Sequence, residues 1–451
     1  MLIFVLMKKT LLLILSTLML AASCKKDDIH EDAFRLFDDK ALPTLTISFQ
    51  ESEWKQLLSL YDADPNTKEY VHCDVDFSGS GHIIKIKDAG FRLRGQTSRR
   101  RPQTRNGHFQ HFHGGLHLRK FNEDNPEIDG FRRINLKYAK EDPTYIREHY
   151  CFDLLNRFGV WLAPESSWCR LSLNAGSKTA NYGVYLMIES IDKQYLKRRP
   201  QFGSAEGFLW KCAQGADLGS YSEKSCHLDD NSTRTYPYEL KDDAPQAFET
   251  AKSQLRDFIG KFKILKGDAF REWAKQAIDV PLLLKMYAVN VAVGHWDDYW
   301  NNMNNFYIYF NSRDTTNYRM YLLPYDYDNT LGTTLHCGVQ NDAGRHDPYK
   351  WGLDRCTLIS KLLTVSEFRD MYTSYLKQLG ADGNELFSYE ASSARILRWQ
   401  EVFVPYLAND TGEDMTIIDK PASWGNHSEY RVIQDGANNW FRVKCSSLNS
   451  L

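Results

Sequence analysis

Polar and apolar residues alternate through 44–49, 70–77, 82–87 and 91–94, the period of strands with one buried face. Ser78 to Gly81 separates the second and third of these segments and predicts a hairpin there. Segments 116–121, 132–137, 168–173 and 182–189 are also strand-like, the last two flanking a turn at 174–176. In 51–61, Trp54, Leu57, Leu58 and Tyr61 share one helical face. The first long helix is predicted over 143–158, with Asp142 placed to cap it, Pro143 in its first turn and Gly159 to stop it. Beyond it the pattern becomes helical, over 247–266, 280–294, 365–379 and 389–406. A hairpin of strands 305–310 and 318–323 interrupts that run. A sheet-rich first half followed by a helix-rich second half predicts an α+β protein with two lobes.

The N-terminus has its own pattern. Lys8 and Lys9 precede an apolar run, 11–20, and Ala21, Ala22 and Ser23 precede Cys24. This predicts a signal peptide over 1–23; the run falls short of the ~20 predominantly apolar residues of a membrane-spanning helix. The ending resembles a bacterial lipobox, which makes Cys24 the lipidated residue and 24–43 a tether. Lys25, Lys26, Asp27 and Asp28 resemble a surface-export signal. The expected location is extracytoplasmic, lipid-anchored, at the outer membrane or cell surface, with the lipid as the only membrane link.

Eight further cysteines would suit disulfides in that compartment. Cys212–Cys226 and Cys337–Cys356 are candidate loop staples, with buried free thiols the equal alternative. No CxxC pair argues for a zinc ribbon or a redox site. Lys plus Arg number 56 against 58 Asp plus Glu. That balance gives no basic field, so nucleic acid is not an expected partner. Aromatics at 13% fit a rich core or a glycan-binding platform.

Candidate chemistry gathers in two stretches, 295–305 (HWDDYWNNMNN) and 323–329 (LPYDYDN). They lie at the two ends of the predicted hairpin, which would bring them together. Neighbouring carboxylates and amide oxygens are the ligands that Mg²⁺ or Ca²⁺ prefers. Protein kinases use an Asp, an Asn five positions later and a second Asp beyond a hairpin. Asp297, Asn302 and Asp326 repeat that spacing. A pair of capped turns is the alternative, since Asp and Asn favour turns.

Three further segments accompany the acidic stretches: 91–98 (FRLRGQTS), 142–147 (DPTYIR) and 183–189 (GVYLMIE), all in order ahead of 295–305. The ordered set, from roughly residue 45 to past residue 335, resembles the CotH family of atypical kinase-like phosphotransferases. The resemblance implies a divergent two-lobed protein-kinase-like fold, with a sheet-rich N-lobe over 44–190 and a helix-rich C-lobe over 191–451. It implies ATP as co-substrate, Mg²⁺ or another divalent cation as cofactor, and protein hydroxyls as acceptors. Asp297, or less directly Asp298, would be the catalytic residue. Asn302 or Asn305 would bind metal with Asp326, supported by Asp328. Glu189 would lie beside the adenine, and Arg94 near the phosphates. Many members carry a Lys pair shortly after the Arg-Gly motif; this chain has His111-Phe112-His113 there. Lys137, Lys120 or Arg119 would then supply the phosphate-binding cation, while His111 and His113 would contact phosphate, form a polar loop or bind a transition metal. A non-catalytic surface lipoprotein, binding a protein or a glycan through Trp296, Tyr299 and Trp300, is the alternative function. A metal-dependent hydrolase using the same carboxylates is a third.

Overall fold

Strand β1 (Thr44–Phe49) turns Leu45, Ile47 and Phe49 inward, and α1 (Glu51–Ala63) then buries Trp54 and Leu57 against it. β2 (Val71–Gly79) buries Val71, Cys73, Val75 and Phe77 in the same alternation. β3 (His82–Arg94), β4 (His113–His117) and β5 (Arg133–Lys137) follow, then α2 (Arg147–Arg157), β6 (Ser166–Ala175) and β7 (Lys178–Glu189). The seven strands close into a barrel in the order β1-β2-β3-β4-β5-β7-β6. Parallel pairing of β1 with β6, Thr44 opposite Arg170, completes the circle, and a closed sheet has no free edge. The computed structural model describes residues 35–451 except 80, 140–141, 230–234, 242–244, 334–341 and 423–427. The leader, Cys24, the 25–28 charge cluster and Cys337 lie outside the described residues.

After α3 (Lys193–Lys197) a second sheet begins with β8 (Phe208–Cys212), β9 (Cys226–Leu228) and β10 (Tyr238–Leu240). Helices α4 (Phe248–Ile264), α5 (Gly267–Ala277), α6 (Val280–Ala292) and α7 (Tyr299–Asn302) come next, then the hairpin β11 (Phe306–Phe310) and β12 (Met320–Pro324). The sheet order is β12-β11-β8-β10-β9. Every residue of β11 and β12 is buried, the continuous apolar pattern of strands covered on both faces. Helix α6 is likewise buried nearly all round, as a helix apolar on all sides must be. It packs against α9 (Ser366–Gly380), which follows α8 (Thr357–Leu362), and against α2. α10 (Tyr389–Phe403) and α11 (Trp440–Asn449) complete the helical part. Residues 36–451 form one compact unit with a barrel at its N-terminal end and helices toward its C-terminus.

Several expected elements shift, each for a local reason. Segments 82–87 and 91–94 belong to one strand, β3, kinked at Asp88 with φ 56° opposite a register shift in β2. Gly267, expected as a stop, instead opens α5. Helix α2 begins at Arg147, not at 143, because Tyr145 sits at φ 65° and Asp142 bends back onto the helix. Asp142 accepts from the backbone N–H of Arg147 at 2.7 Å and from its guanidinium at 2.5 Å. Arg147 is wholly buried, so Asp142→Ala strands a buried cation and should cost about 3–5 kcal/mol, read as a lowered unfolding midpoint. Asp142→Asn, which keeps the hydrogen-bond acceptor, should cost less.

The expected Cys212–Cys226 staple is not formed. Cys212 on β8 and Cys226 on β9 lie opposite Tyr238 on either side of β10. Two strand spacings, about 9–10 Å, exceed the ~7 Å Cα separation a disulfide can bridge. Both are free buried thiols, as are Cys73, Cys151, Cys169 and Cys356.

Candidate active site

The β11–β12 hairpin sets the site. Its register pairs Phe306 with Pro324, so Asn305 and Tyr325 leave the sheet side by side. Asn305 (φ 53°) and Asp326 (φ 60°) both hold left-handed backbone conformations. Asn and Asp tolerate that region better than other side chains do, and such residues concentrate at functional sites. The hairpin thus delivers the two acidic stretches to one place: the charge of Asp326 is felt at Asp297, and that of Asp297 at Asp328.

Asp297 is held by three amides. The side-chain NH₂ groups of Asn302, Asn305 and Asn304 donate to it at 2.6, 2.8 and 3.1 Å. Burial outweighs those bonds and lifts its carboxyl to about 6. Asp298 has a different setting. It caps α7 by accepting from Asn301 N at 3.0 Å, and accepts from Asn290 Nδ2 at 3.0 Å. Asn290 in turn accepts from the Tyr327 hydroxyl at 2.6 Å. Burial raises Asp298 to about 7, and its hydrogen bonds are those of a helix cap.

Lys137 at the end of β5 meets three carboxylates: Asp326 at 2.5 Å, Glu148 at 2.6 Å and Asp328 at 3.3 Å. Glu148 lies in the first turn of α2, and its other oxygen accepts from Tyr327 N at 3.3 Å. Helix, barrel strand and hairpin exit are therefore tied at one ammonium. Burial works against the charge of Lys137, but the carboxylates overcome it and hold Lys137 well above its ordinary range. Burial likewise opposes ionisation of Asp326, and Lys137 reverses it, keeping that carboxyl low. Asp328 is pushed well above the usual carboxylate range by burial and then by Asp326. Asp326 and Asp328 keep 30% and 26% of their side-chain surface exposed, so the site opens to solvent.

The other expected site residues fall elsewhere or are spent. Glu189 ends β7 and is buried; it pairs with Arg198 and binds Arg199 at 2.9 and 3.0 Å and Glu165 N at 3.0 Å. Arg94 donates to the Tyr325 hydroxyl at 3.1 Å, one residue from Asp326. His111 is buried between the Tyr182 carbonyl at 3.0 Å and Glu413 at 3.2 Å, and the His113 ring lies tilted against Tyr138 with ring centres 4.6 Å apart. The exposed aromatic platform is overturned: Trp296, Tyr299 and Trp300 are at most 2% exposed. Trp300 instead donates to Ser360 at 3.3 Å, and the Tyr299 hydroxyl to the Asp217 carbonyl at 3.0 Å. Among the described residues, no three His, Cys, Asp or Glu side chains are gathered as a ready-made metal cage. Glu148 was not foreseen. A charged residue on the core-facing stripe of α2, between Ile146 and Tyr150, was the signal available for it.

A family model described as CotH kinase protein matches residues 91–439. Inner spore coat protein H of Bacillus subtilis (strain 168) is 26% identical over 305 residues, 66% of this chain and 76% of the relative. Invasin CotH2 of Rhizopus delemar is 23% identical over 319 residues, 68% of this chain and 47% of the relative. Invasin CotH3 of the same organism is 21% identical over 389 residues, 83% of this chain and 58% of the relative. The chain thus spans about half the length of the two invasins.

Proposed function

The chain belongs to the CotH kinase protein family, and from that premise we propose that its cleft transfers phosphate from ATP to a protein hydroxyl with Mg²⁺. The observation that carries the reading is the Lys137–Glu148 ion pair set against Asp326, in the cleft whose field reaches the amide-held Asp297. In this reading the barrel is the upper lobe of a divergent kinase-like fold, and the second sheet with its helices is the lower lobe. Lys137, oriented by Glu148, meets the phosphates of ATP. Asp297, oriented by its asparagines, accepts the proton of the acceptor hydroxyl.

The donor set suits a hard divalent cation. Three carboxyl groups share one ammonium, and the burial and the charge of Asp326 that hold Asp328 high are what a divalent cation would offset. Asn302 and Asn305 commit their NH₂ groups to Asp297, and their carbonyl oxygens are the remaining donors. Asp326, Asp328 and one of these amides would hold Mg²⁺. Bound there, it would neutralise charge on the phosphate oxygens.

The leader pattern supports lipidation at Cys24 and an extracytoplasmic location; among the described residues, no helix is long and apolar enough to cross a membrane. Two relatives are named invasins. Their names favour a second reading, in which the chain binds a partner at the cell surface without phosphotransfer. Incubation with ATP, Mg²⁺ and candidate protein acceptors separates the two: phosphate on protein supports the first, and partner binding that survives loss of Asp297 and Asp326 supports the second.

The transfer rate should depend on pH through Asp297. Its raised carboxyl is a base only above about 6, so the rate should fall about tenfold per pH unit below that point. Asp297→Asn should lower the plateau by about 10²–10⁴-fold and remove the acid limb. A pH–rate profile of both proteins checks this.

A further inference from the structure

A second charged feature lies beside the acidic cleft, with the opposite sign. Arg92, Arg94 and Arg99 come from the end of β3 and the turn after it, and Lys211 from β8. Among the described residues, none of the four forms a salt bridge. Arg99 binds only backbone carbonyls, those of Gly95, Pro65 and Thr67. Arg92 reaches the Lys68 carbonyl at 3.4 Å and lies over the Tyr70 ring. Arg94 has the Tyr325 hydroxyl. Among the described residues the Lys211 ammonium meets no hydrogen-bond acceptor, and it lies 5.8 Å from the centre of the Tyr325 ring.

The nearby carboxylates are already taken. Lys68 binds Asp229 and Glu239, each at 2.9 Å, and Lys241 pairs with the same two. Like charges therefore act on one another: Arg92 and Arg94 on Arg99, and Lys241, Arg94 and Lys68 on Lys211, with Glu239 offsetting part of the last. Burial and these neighbours press Lys211 down to about 8. The array is built, not incidental. Gly115 on β4 leaves room for the Arg94 stem, since a Cβ there would meet Arg94 Cδ at 2.8 Å. Lys211 stands in register between Tyr307 and Glu239, and its charge is felt at Asp326. Half-buried cations gathered without carboxylate partners repel one another unless a ligand supplies the anion.

We propose that Arg94 and Lys211 form a two-sided oxyanion clamp, one cation from the barrel and one from the second sheet, that grips a polyphosphate chain beside Asp326. Arg94 offers a planar fork and Lys211 a point charge, a combination suited to tetrahedral oxyanions. That the chain belongs to a nucleotide rests on the function proposed above; the clamp itself does not.

The test is calorimetric titration of the full chain with inorganic tripolyphosphate in EDTA. The wild type should bind, and Lys211→Met and Arg94→Gln should each weaken binding by about tenfold or more. Asp326→Asn should bind at least as tightly as wild type. Lys211→Met should melt at the same temperature as the free wild type or higher, because it removes a half-buried charge that faces other cations. Tripolyphosphate affinity unchanged by Lys211→Met, or a tetraglutamate peptide displacing tripolyphosphate at lower concentration, would overturn the clamp. If tripolyphosphate binds and an ATP analogue with Mg²⁺ does not, the clamp stands and the nucleotide reading falls. If the analogue binds equally well to wild type and Lys211→Met, the clamp falls and the nucleotide reading stands.

Discussion

Asp326→Asn should abolish Mg²⁺-dependent nucleotide binding and lower phosphotransfer by roughly 10²–10³-fold, the usual cost of one lost electrostatic contact to the transition state. Asparagine is the informative replacement. It has the shape of Asp and tolerates the φ of 60° found at this position, so the fold should persist. Alanine would add backbone strain of about 1–2 kcal/mol. The substitution also releases Lys137 from its 2.5 Å partner while Glu148 and Asp328 remain. Stability should therefore change little while metal-dependent binding disappears. Calorimetry with an ATP analogue, with and without Mg²⁺, reads both effects against a melting curve of the same samples.

Lys137→Met should act in the reverse sense, on stability more than on metal. It leaves Glu148, Asp326 and Asp328 facing one another with no cation between them. Breaking a fully buried ion pair costs about 3–5 kcal/mol. Lys137 and its partners keep 7–30% of their side-chain surface, so about 2–4 kcal/mol is expected here. Mg²⁺ should restore more of the melting temperature to this variant than it adds to wild type, because the ion replaces the missing charge. Equal Mg²⁺ shifts in the two proteins would show that these carboxylates do not share a cation. On the proposed function, in which Lys137 meets the nucleotide phosphates, phosphotransfer by Lys137→Met should be lost at every Mg²⁺ concentration.

The hairpin was legible in the sequence because its apolar strands and polar intervening segment are local. Once β11 and β12 are paired, the meeting of Asn305 with the 325–328 stretch follows from register alone. The long helices were legible for the same reason, to within a few residues at their ends. Barrel closure was not, because β1 and β6 pair across more than a hundred residues and no local pattern encodes that contact. Strands β9 and β10 are three residues each, too short to show a period. Without them, Cys212 and Cys226 looked like neighbours when a strand separates them. Lys211 was hidden in the same way, within an unrecognised strand. Trp296, Tyr299 and Trp300 looked like surface residues because polar side chains surround them in sequence, yet those polar groups bond to one another and to backbone while the rings fill the core. Glu148 shows the converse: an acid on a buried helical face has a partner, and that partner, Lys137, arrives from a strand ten positions upstream of the helix start.

The central claim is that Asp297, Lys137, Glu148 and Asp326 enclose one nucleotide and one cation. A crystal structure of the protein with a non-hydrolysable ATP analogue and Mg²⁺ tests it directly. The account predicts the cation on Asp326, phosphate oxygens against Lys137 while Glu148 keeps its hold, and Asp297 facing the terminal phosphate. Nucleotide bound away from these four residues, or a cleft still closed by the Lys137–Asp326 pair at saturating nucleotide, would contradict it.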